Sequence, residues 1–305
     1  MVTDSPRPYL YPTQSAVAPR APALADPPPR VPSGVPDFDY LTGGFPVGSV
    51  VLLFGEAGSG HQEFALTSAA HLMLRYDEPG TRRFFLGNAK GPFLFPESVA
   101  YLSTSRSEDQ VLNELRAAFA GIYPDTLRRH LAFRDLSPAY FADTVVPTDW
   151  ASVRSPLLSG SPTSSRPDSD PVRALADAAE AAGSKNLVIV DSLTDLLVRQ
   201  GIEARDLLTL LKGLRRRAKE WNGIVYLLLS EGVAPAPIEQ AVIDSVDVVL
   251  HFAWQSSPNR SHRQRTMLIE KSMPVLSHLP AEYHGRFVIR VNALNGLVTT
   301  QYERV

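Results

Sequence analysis

The chain has 305 residues, 44 % of them hydrophobic, with 26 prolines, no cysteine and a formal net charge of −2. That length and apolar content suffice for a substantial core, while the lack of Cys excludes disulfides, thiolate zinc sites and a cysteine nucleophile. The small net charge supplies no long-range field toward DNA or acidic lipid. With no signal-peptide core and no apolar run of about 18 residues, a soluble, cytoplasmic protein without membrane association is expected.

Residues 1–30, including "SPRPYLYPTQSAVAPRAPALADPPPR", spread proline through a segment without apolar period, so a disordered Pro-rich arm is expected there and one ordered domain over 31–305. A Gly-Gly-Phe-Pro turn at Gly43 to Pro46 leads into a buried-type strand, Ser49 to Phe54, and Gly60 to Tyr76 has helical composition and length. After a long connection rich in Phe, Gly and Pro, "SVAYLSTS" (Ser98 to Ser105) reads as a second strand. A helix from Glu108 to Ala120 follows, with Val111, Leu112, Leu115 and Phe119 on one face. Tyr123 to Trp150 carries no readable period apart from a short strand near His130 to Phe133, and Ser159 to Pro171 reads as a flexible loop.

Asp170 and Pro171 form an N-cap and first-turn pair for an Ala-rich helix ending near Gly183. "NLVIVD" (Asn186 to Asp191) is a continuous apolar run closed by an acid, as expected of a parallel strand covered on both faces. Leu207, Leu208, Leu211, Leu214, Ala218 and Trp221 mark an amphipathic helix, followed by strands at Gly223 to Ser230 and Asp247 to Phe252. "RTMLIEK", "RFVIRVN" and "LVTT" read as antiparallel strands, the last two joined by a turn at Asn295-Gly296. The sum is an α/β fold: a mostly parallel β-sheet flanked by helices on both faces, with antiparallel C-terminal strands.

Chemistry concentrates in "VVLLFGEAGSGHQEF" (Val50 to Phe64). Gly55, Gly58, Ser59 and Gly60 lie between a strand and a helix, the setting in which backbone N–H groups converge on a phosphate. A phosphate loop continues with a Lys for the terminal phosphates and a Ser/Thr hydroxyl for Mg²⁺. Here His61 and Gln62 stand in those places, the first shorter and largely neutral, the second an amide. Asp191, at the end of its strand, sits where a second acid holds the Mg²⁺ shell.

"VPSGVPDFDYLTGGFPVGSVVLLFGEAGSG", "VAYLSTSRSEDQVLNELRAAF", "NLVIVDSLTDLL" and "RTMLIEKSMPVLSH…GRFVIRV" follow the order and spacing of the RecA-like ATPases of the KaiC group, and the chain resembles the archaeal single-domain members, with a degenerate phosphate loop. The likeness spans about Val31 to Thr300, with the segments after Tyr76 and Tyr123 as departures. It implies ATP with Mg²⁺ as cofactor, a nucleotide site of Gly55, Gly58, Ser59, Gly60, His61, Gln62 and Asp191, and a homo- or hetero-oligomer with RecA-like subunits. Family members carry a pair of Glu residues after the second strand, one of which activates water; Ser105 and Arg106 occupy those positions. They also send a Lys-x-Arg pair into the neighbour's site; Lys271 matches the Lys as a trans contact, but Met273 replaces the Arg.

These altered positions, each in a different piece of the machinery or touching a different atom, lead to the expectation of a non-hydrolysing, nucleotide-binding or regulatory module, with no catalytic residue and no metal site of its own. An active ATPase, alone or with a paralogue in trans, and a DNA-binding recombination-mediator-like protein are the alternatives. For the last, "PNRSHRQR" (Pro258 to Arg265) is a compact basic turn without aromatics for base stacking. "LKGLRRRAKEW" spreads its charge around a solvated helix face. The seven His residues, His278 and His284 among them, show no metal-ligand spacing.

Overall fold

The computed structural model describes residues 29–81, 92–147, 150, 170–256, 263–273 and 286–303. The arm expected over 1–30 lies outside the described residues up to residue 28, as do His278, His284, residues 258–262 of the basic turn and the loop over 159–169. The first described element is β1 (Arg30–Val31), so Arg30 of the expected arm is in a strand; β1 pairs antiparallel with β2 (Phe45–Pro46) across the short helix α1 (Pro36–Thr42).

The first strand–turn–helix unit is β3 (Val50–Gly55) and α2 (His61–Asp77). The chain then forms β4 (Val99–Ser103), α3 (Glu108–Ala118), α4 (Ile122–His130), β5 (Leu131–Asp135) and α5 (Ser137–Phe141). Its second half contains α6 (Pro171–Ala182), β6 (Leu187–Asp191), α7 (Leu193–Val198), α8 (Ala204–Trp221), β7 (Ile224–Ser230), α9 (Ala236–Ser245) and β8 (Val248–Ser256), closed by β9 (Arg263–Lys271), β10 (Arg286–Asn292) and β11 (Gly296–Glu303).

Strands β3 to β11 make a nine-stranded sheet in the order β11-β10-β9-β8-β3-β7-β6-β4-β5. From β8 to β5 all pairings are parallel, and β9, β10 and β11 extend the sheet antiparallel. The α/β fold class read from the sequence is the one observed. Successive side chains of a strand point to opposite faces. Val51, Leu53, Tyr101, Ile189 and Tyr226 pack under α1 to α4 with Phe38, Phe64, Met73, Leu112 and Leu127. Val50, Leu52, Leu102, Val190 and Leu227 pack on the other face with Leu175, Leu207, Leu211, Trp221 and Val242. Every residue of β3 is buried for that reason.

Several boundaries differ from expectation. The opaque stretch from Tyr123 to Trp150 begins with α4, whose first turn tolerates Pro124 and buries Tyr123 and Leu127 on the helix α2 side; nine residues rich in charge are too few to show a period. Helix α3 stops at Ala118, two residues early, because the Ala120 N–H leaves the helix and donates to Ala293 O at 2.6 Å. The β10–β11 turn spans Ala293 to Asn295 and not Asn295-Gly296, with the Asn292 side chain accepting from Leu294 N and Asn295 N at 3.0 and 2.8 Å. Gly296 starts β11 at φ +64°, and a Cβ there would lie 2.5 Å from Thr67 Oγ1, which accepts from Leu297 N, so glycine is needed on two counts.

Candidate functional site

Parallel strands β3, β4 and β6 end at one rim of the sheet, and their C-terminal residues and the turns after them build the site. The glycine-rich turn after β3 is tied down from β8 and β9. Glu56 N donates to Phe252 O at 3.3 Å, Trp254 N donates to the Glu56 carboxylate and Trp254 Nε1 to Ala57 O. Arg263 and Arg265 lie against the Trp254 ring and pair with Glu56 and Glu63 at 3.7 and 3.2 Å. The described part of the basic turn therefore serves the chain's own loop.

Within the turn, Gly55 admits no side chain, since a Cβ would meet Phe252 O at 2.3 Å. Gly58, at φ +70°, is surrounded by open space. Ser59 is buried and its N–H donates to Glu56 O at 3.0 Å. Among the described residues the N–H groups of Ala57, Gly58 and Gly60 have no acceptor. His61 opens α2 and is turned inward, 9 % exposed, with its ring beside Phe252 and Nδ1 3.5 Å from Ser59 Oγ. Burial lowers its pKa, so the imidazole is neutral near pH 7 and supplies no charge where a loop lysine would.

Asp191 and Arg106 meet in the centre of the site. Strand β4 lies between β5 and β6 with Ser103 opposite Asp191, and the next residues, Thr104 to Ser107, turn across the end of β6. Thr104 N donates to Asp191 O at 2.9 Å, and the Thr104 and Ser105 hydroxyls donate to Asp195 Oδ2 at 2.5 and 2.8 Å. Ser107 caps α3 in a reciprocal capping box with Gln110. Held between that cap and the strand end, Arg106 points back over Asp191.

Its Nε donates to Asp191 Oδ2 at 2.8 Å, Nη2 donates to the same oxygen and to Tyr101 Oη (2.6 Å), and Nη1 donates to Glu114 Oε2 at 2.5 Å. With the Gln62 amide turned so that its oxygen faces the guanidinium, the assignment that satisfies both partners, that oxygen accepts from Nη2 at 2.9 Å and also from Nη1. The Tyr101 hydroxyl in turn donates to Asp191 Oδ2 at 2.6 Å. Burial works against the Arg106 charge, but the attraction and hydrogen bond of Asp191 together with the attraction of Glu114 outweigh it and raise the pKa above the ordinary arginine value. Tyr101 is fully buried, which together with Asp191 pushes its pKa well up and keeps the phenol protonated.

The structure thus brings together Gly55, Gly58, Ser59, Gly60, His61, Gln62 and Asp191. It places Lys271 elsewhere. Lys271 pairs with Val249 at the opposite end of β8, where Nζ donates to Ile243 O and Asp244 O at 2.9 and 3.0 Å and so caps the C-terminus of α9. Met273, the other altered position, is 83 % exposed nearby and lines the same surface cavity of about 300 Å³ as Lys271, Arg215 and Lys219.

Tyr101 and Glu114 were not among the residues singled out from the sequence. Tyr101 sits inside an apolar strand and reads as core, which most of its ring is. Glu114 is one of several acids on the exposed side of α3, and no local signal separates it from Glu108 or Asp109.

No protein-family model matches the chain, and no curated protein matches it. Solved structures do share the fold. A KaiC-like protein from the hyperthermophilic archaea Pyrococcus horikoshii OT3 is 20 % identical, with a TM-score of 0.56 over 90 % of this chain and 100 % of that one. The flagellar accessory protein FlaH from Methanocaldococcus jannaschii is 17 % identical, with a TM-score of 0.55 over 87 % of this chain and 95 % of that one. At these identities the likeness is one of fold. Among the described residues, no helix is long and apolar enough to cross a membrane, and no group of His, Asp and Glu has the arrangement of a metal site.

Proposed function

We propose that this chain is a RecA-like module that does not hydrolyse ATP and acts as a nucleotide-binding or regulatory subunit in an assembly with other RecA-like subunits, of the same or another kind. The observation that carries the reading is the engagement of Asp191 by Arg106, which comes from the position where the resemblance calls for a water-activating acid.

The two parts of the implied cofactor fit unequally. For a phosphate, the residues are suitable: Gly58 borders open space, and three turn N–H groups have no acceptor among the described residues. Ala57, Gly58 and Gly60 would hold it through the backbone, and the triphosphate would supply only charge to be bound. For Mg²⁺ the residues do not fit. The ion requires oxygen ligands free to close to about 2.0–2.1 Å, and Asp191 Oδ2 already accepts from Arg106 and Tyr101.

Chemical steps suffer accordingly. Loss of a general base costs on the order of 10²–10⁴ in rate, and loss of a trans-acting arginine on the order of 10³–10⁵. Among the described residues beside Arg106, the Asp195 carboxylate accepts from the Thr104 and Ser105 hydroxyls and Glu114 is paired with Arg106. The expected result is that purified protein with ATP and Mg²⁺ releases phosphate no faster than the Asp191→Ala variant. Turnover by the wild type that Asp191→Ala abolishes would sink the reading.

A further inference from the structure

The misfit at Asp191 has a specific cause. The two side-chain oxygens that would face a divalent cation, Asp191 Oδ2 at the end of β6 and the Gln62 amide oxygen in the first turn of α2, both accept from one guanidinium. Arginine has five N–H donors in a planar fork. Here they reach four groups from four elements: Gln62 of α2, Tyr101 of β4, Asp191 of β6 and Glu114 of α3. The Arg106 and Asp191 side chains are 20 % and 13 % exposed, so the pair is little screened by water. A dication entering this place would meet a fixed positive charge, and to reach Asp191 Oδ2 or the Gln62 amide oxygen it would have to displace the guanidinium bonds those atoms accept.

We propose that Arg106 is a built-in substitute for the divalent cation at Asp191: the guanidinium carries the positive charge that joins α2, α3 and β6, and it keeps metal out. The corollary is that the metal-binding capacity is masked. With the guanidinium removed, the Asp191 and Glu114 carboxylates and the Gln62 amide are left around one space with no cation among them, a hard-oxygen donor set. This inference rests on the same Asp191–Arg106 contact as the non-hydrolysing reading and deepens it, but it concerns metal alone.

The test uses Mn²⁺ without nucleotide, with the loss of free-ion electron paramagnetic resonance signal as the readout. Wild-type protein is expected to leave Mn²⁺ free into the millimolar range. Arg106→Ala is expected to take up one equivalent at least about tenfold more tightly than wild type, and Arg106→Ala with Asp191→Asn is expected to lose it again. Arg106→Lys, which keeps the charge, should behave as wild type. Uptake of one Mn²⁺ by wild type that Asp191→Asn removes would overturn the proposal, as would a folded Arg106→Ala protein, judged by circular dichroism, that binds no better than wild type. If Arg106→Ala does not fold, the comparison of wild type with Asp191→Asn decides alone. Wild-type protein that turns over ATP yet leaves Mn²⁺ free in the absence of nucleotide would defeat the non-hydrolysing reading and leave this one standing.

Discussion

A single substitution, arginine where a carboxylate is expected, changes what the neighbouring residues do. Asp191 has a guanidinium as its partner, and Tyr101 and Gln62 are parts of the same node. Such a pair is costly to break from one side, because the group left behind keeps its burial and loses its compensation; truncating one member typically destabilises by about 3–5 kcal/mol. Arg106→Ala is therefore expected to lower the unfolding free energy by about 3 kcal/mol, discounted for the partial exposure of both side chains. Adding Asp191→Asn should return a good part of it, since the uncompensated charge is then gone. Urea unfolding of wild type, both single variants and the double variant measures this coupling, and additive losses would show that the node is not one unit. The resemblance implied an acid at the position of Arg106, but nothing in the sequence pointed to the partner of the arginine found there. The two residues are 85 positions apart and meet only because β4 lies next to β6.

Helix and strand starts were read where local chemistry marks them. Asp170 accepts from Val172 N and Arg173 N at 2.9 and 3.2 Å with Pro171 in the first turn, as the N-cap pattern indicates. Asp170→Ala is expected to cost about 1 kcal/mol, seen as a lower urea midpoint at unchanged slope. The continuous apolar runs at β3, β6 and β7 were equally legible, because burial on both faces leaves no room for polar alternation. Short elements were missed. Helices α1 and α4 have no side-chain cap bond, and α7 spans six residues although Ser192 caps it by accepting from Asp195 N; runs this short show no readable period. Lys271 belongs to this scale too. Its match to a trans-acting lysine is positional, while within its own chain it satisfies the last carbonyls of α9, and a contact with a neighbouring subunit would have to replace those two bonds.

At the scale of the molecule, a buried polar chain ties the first described segment to the helical layer and to the β10–β11 turn. Asp39 Oδ1 and Oδ2 accept from Ser33 N and Gly34 N at 2.7 and 2.9 Å. His71 Nδ1 donates to Gly34 O at 2.6 Å, and its Nε2 and Leu294 O, at 2.8 and 2.9 Å, are the two acceptors within reach of the Tyr123 hydroxyl proton. Burial raises the Asp39 pKa to about 7, against the pull of the Ser33 and Gly34 N–H groups, and lowers that of His71 to about 4. The signs oppose. An unfolded His takes up its proton near pH 6.5, whereas folded His71 resists until about 4, so this group's stabilisation is lost as pH falls through that window. An unfolded Asp ionises near pH 3.9, whereas folded Asp39 holds its proton to about 7, so its stabilisation is lost as pH rises through that window. Each is worth on the order of 3 kcal/mol and they largely cancel. Asp39→Asn leaves the His71 limb alone, and its melting temperature is expected to climb by roughly 5 °C more than that of wild type between pH 4 and 6.5. Calorimetric scans at fixed ionic strength measure both profiles, and parallel curves would contradict the assignment.

The amino-acid sequence by itself determined the alternation of strands and helices, the glycine-rich turn before α2 and the acid ending β6, because periodicity, turn chemistry and capping act over a few neighbouring residues. Only the tertiary structure decided what that acid does. Sheet order sets β4 beside β6 and brings the first turn of α2 and the side of α3 to the same rim, so Gln62, Tyr101, Arg106, Glu114 and Asp191 converge on one guanidinium. Ion pairing between distant positions follows from strand order, and strand order is a property of the whole packed core, which no local stretch of sequence contains.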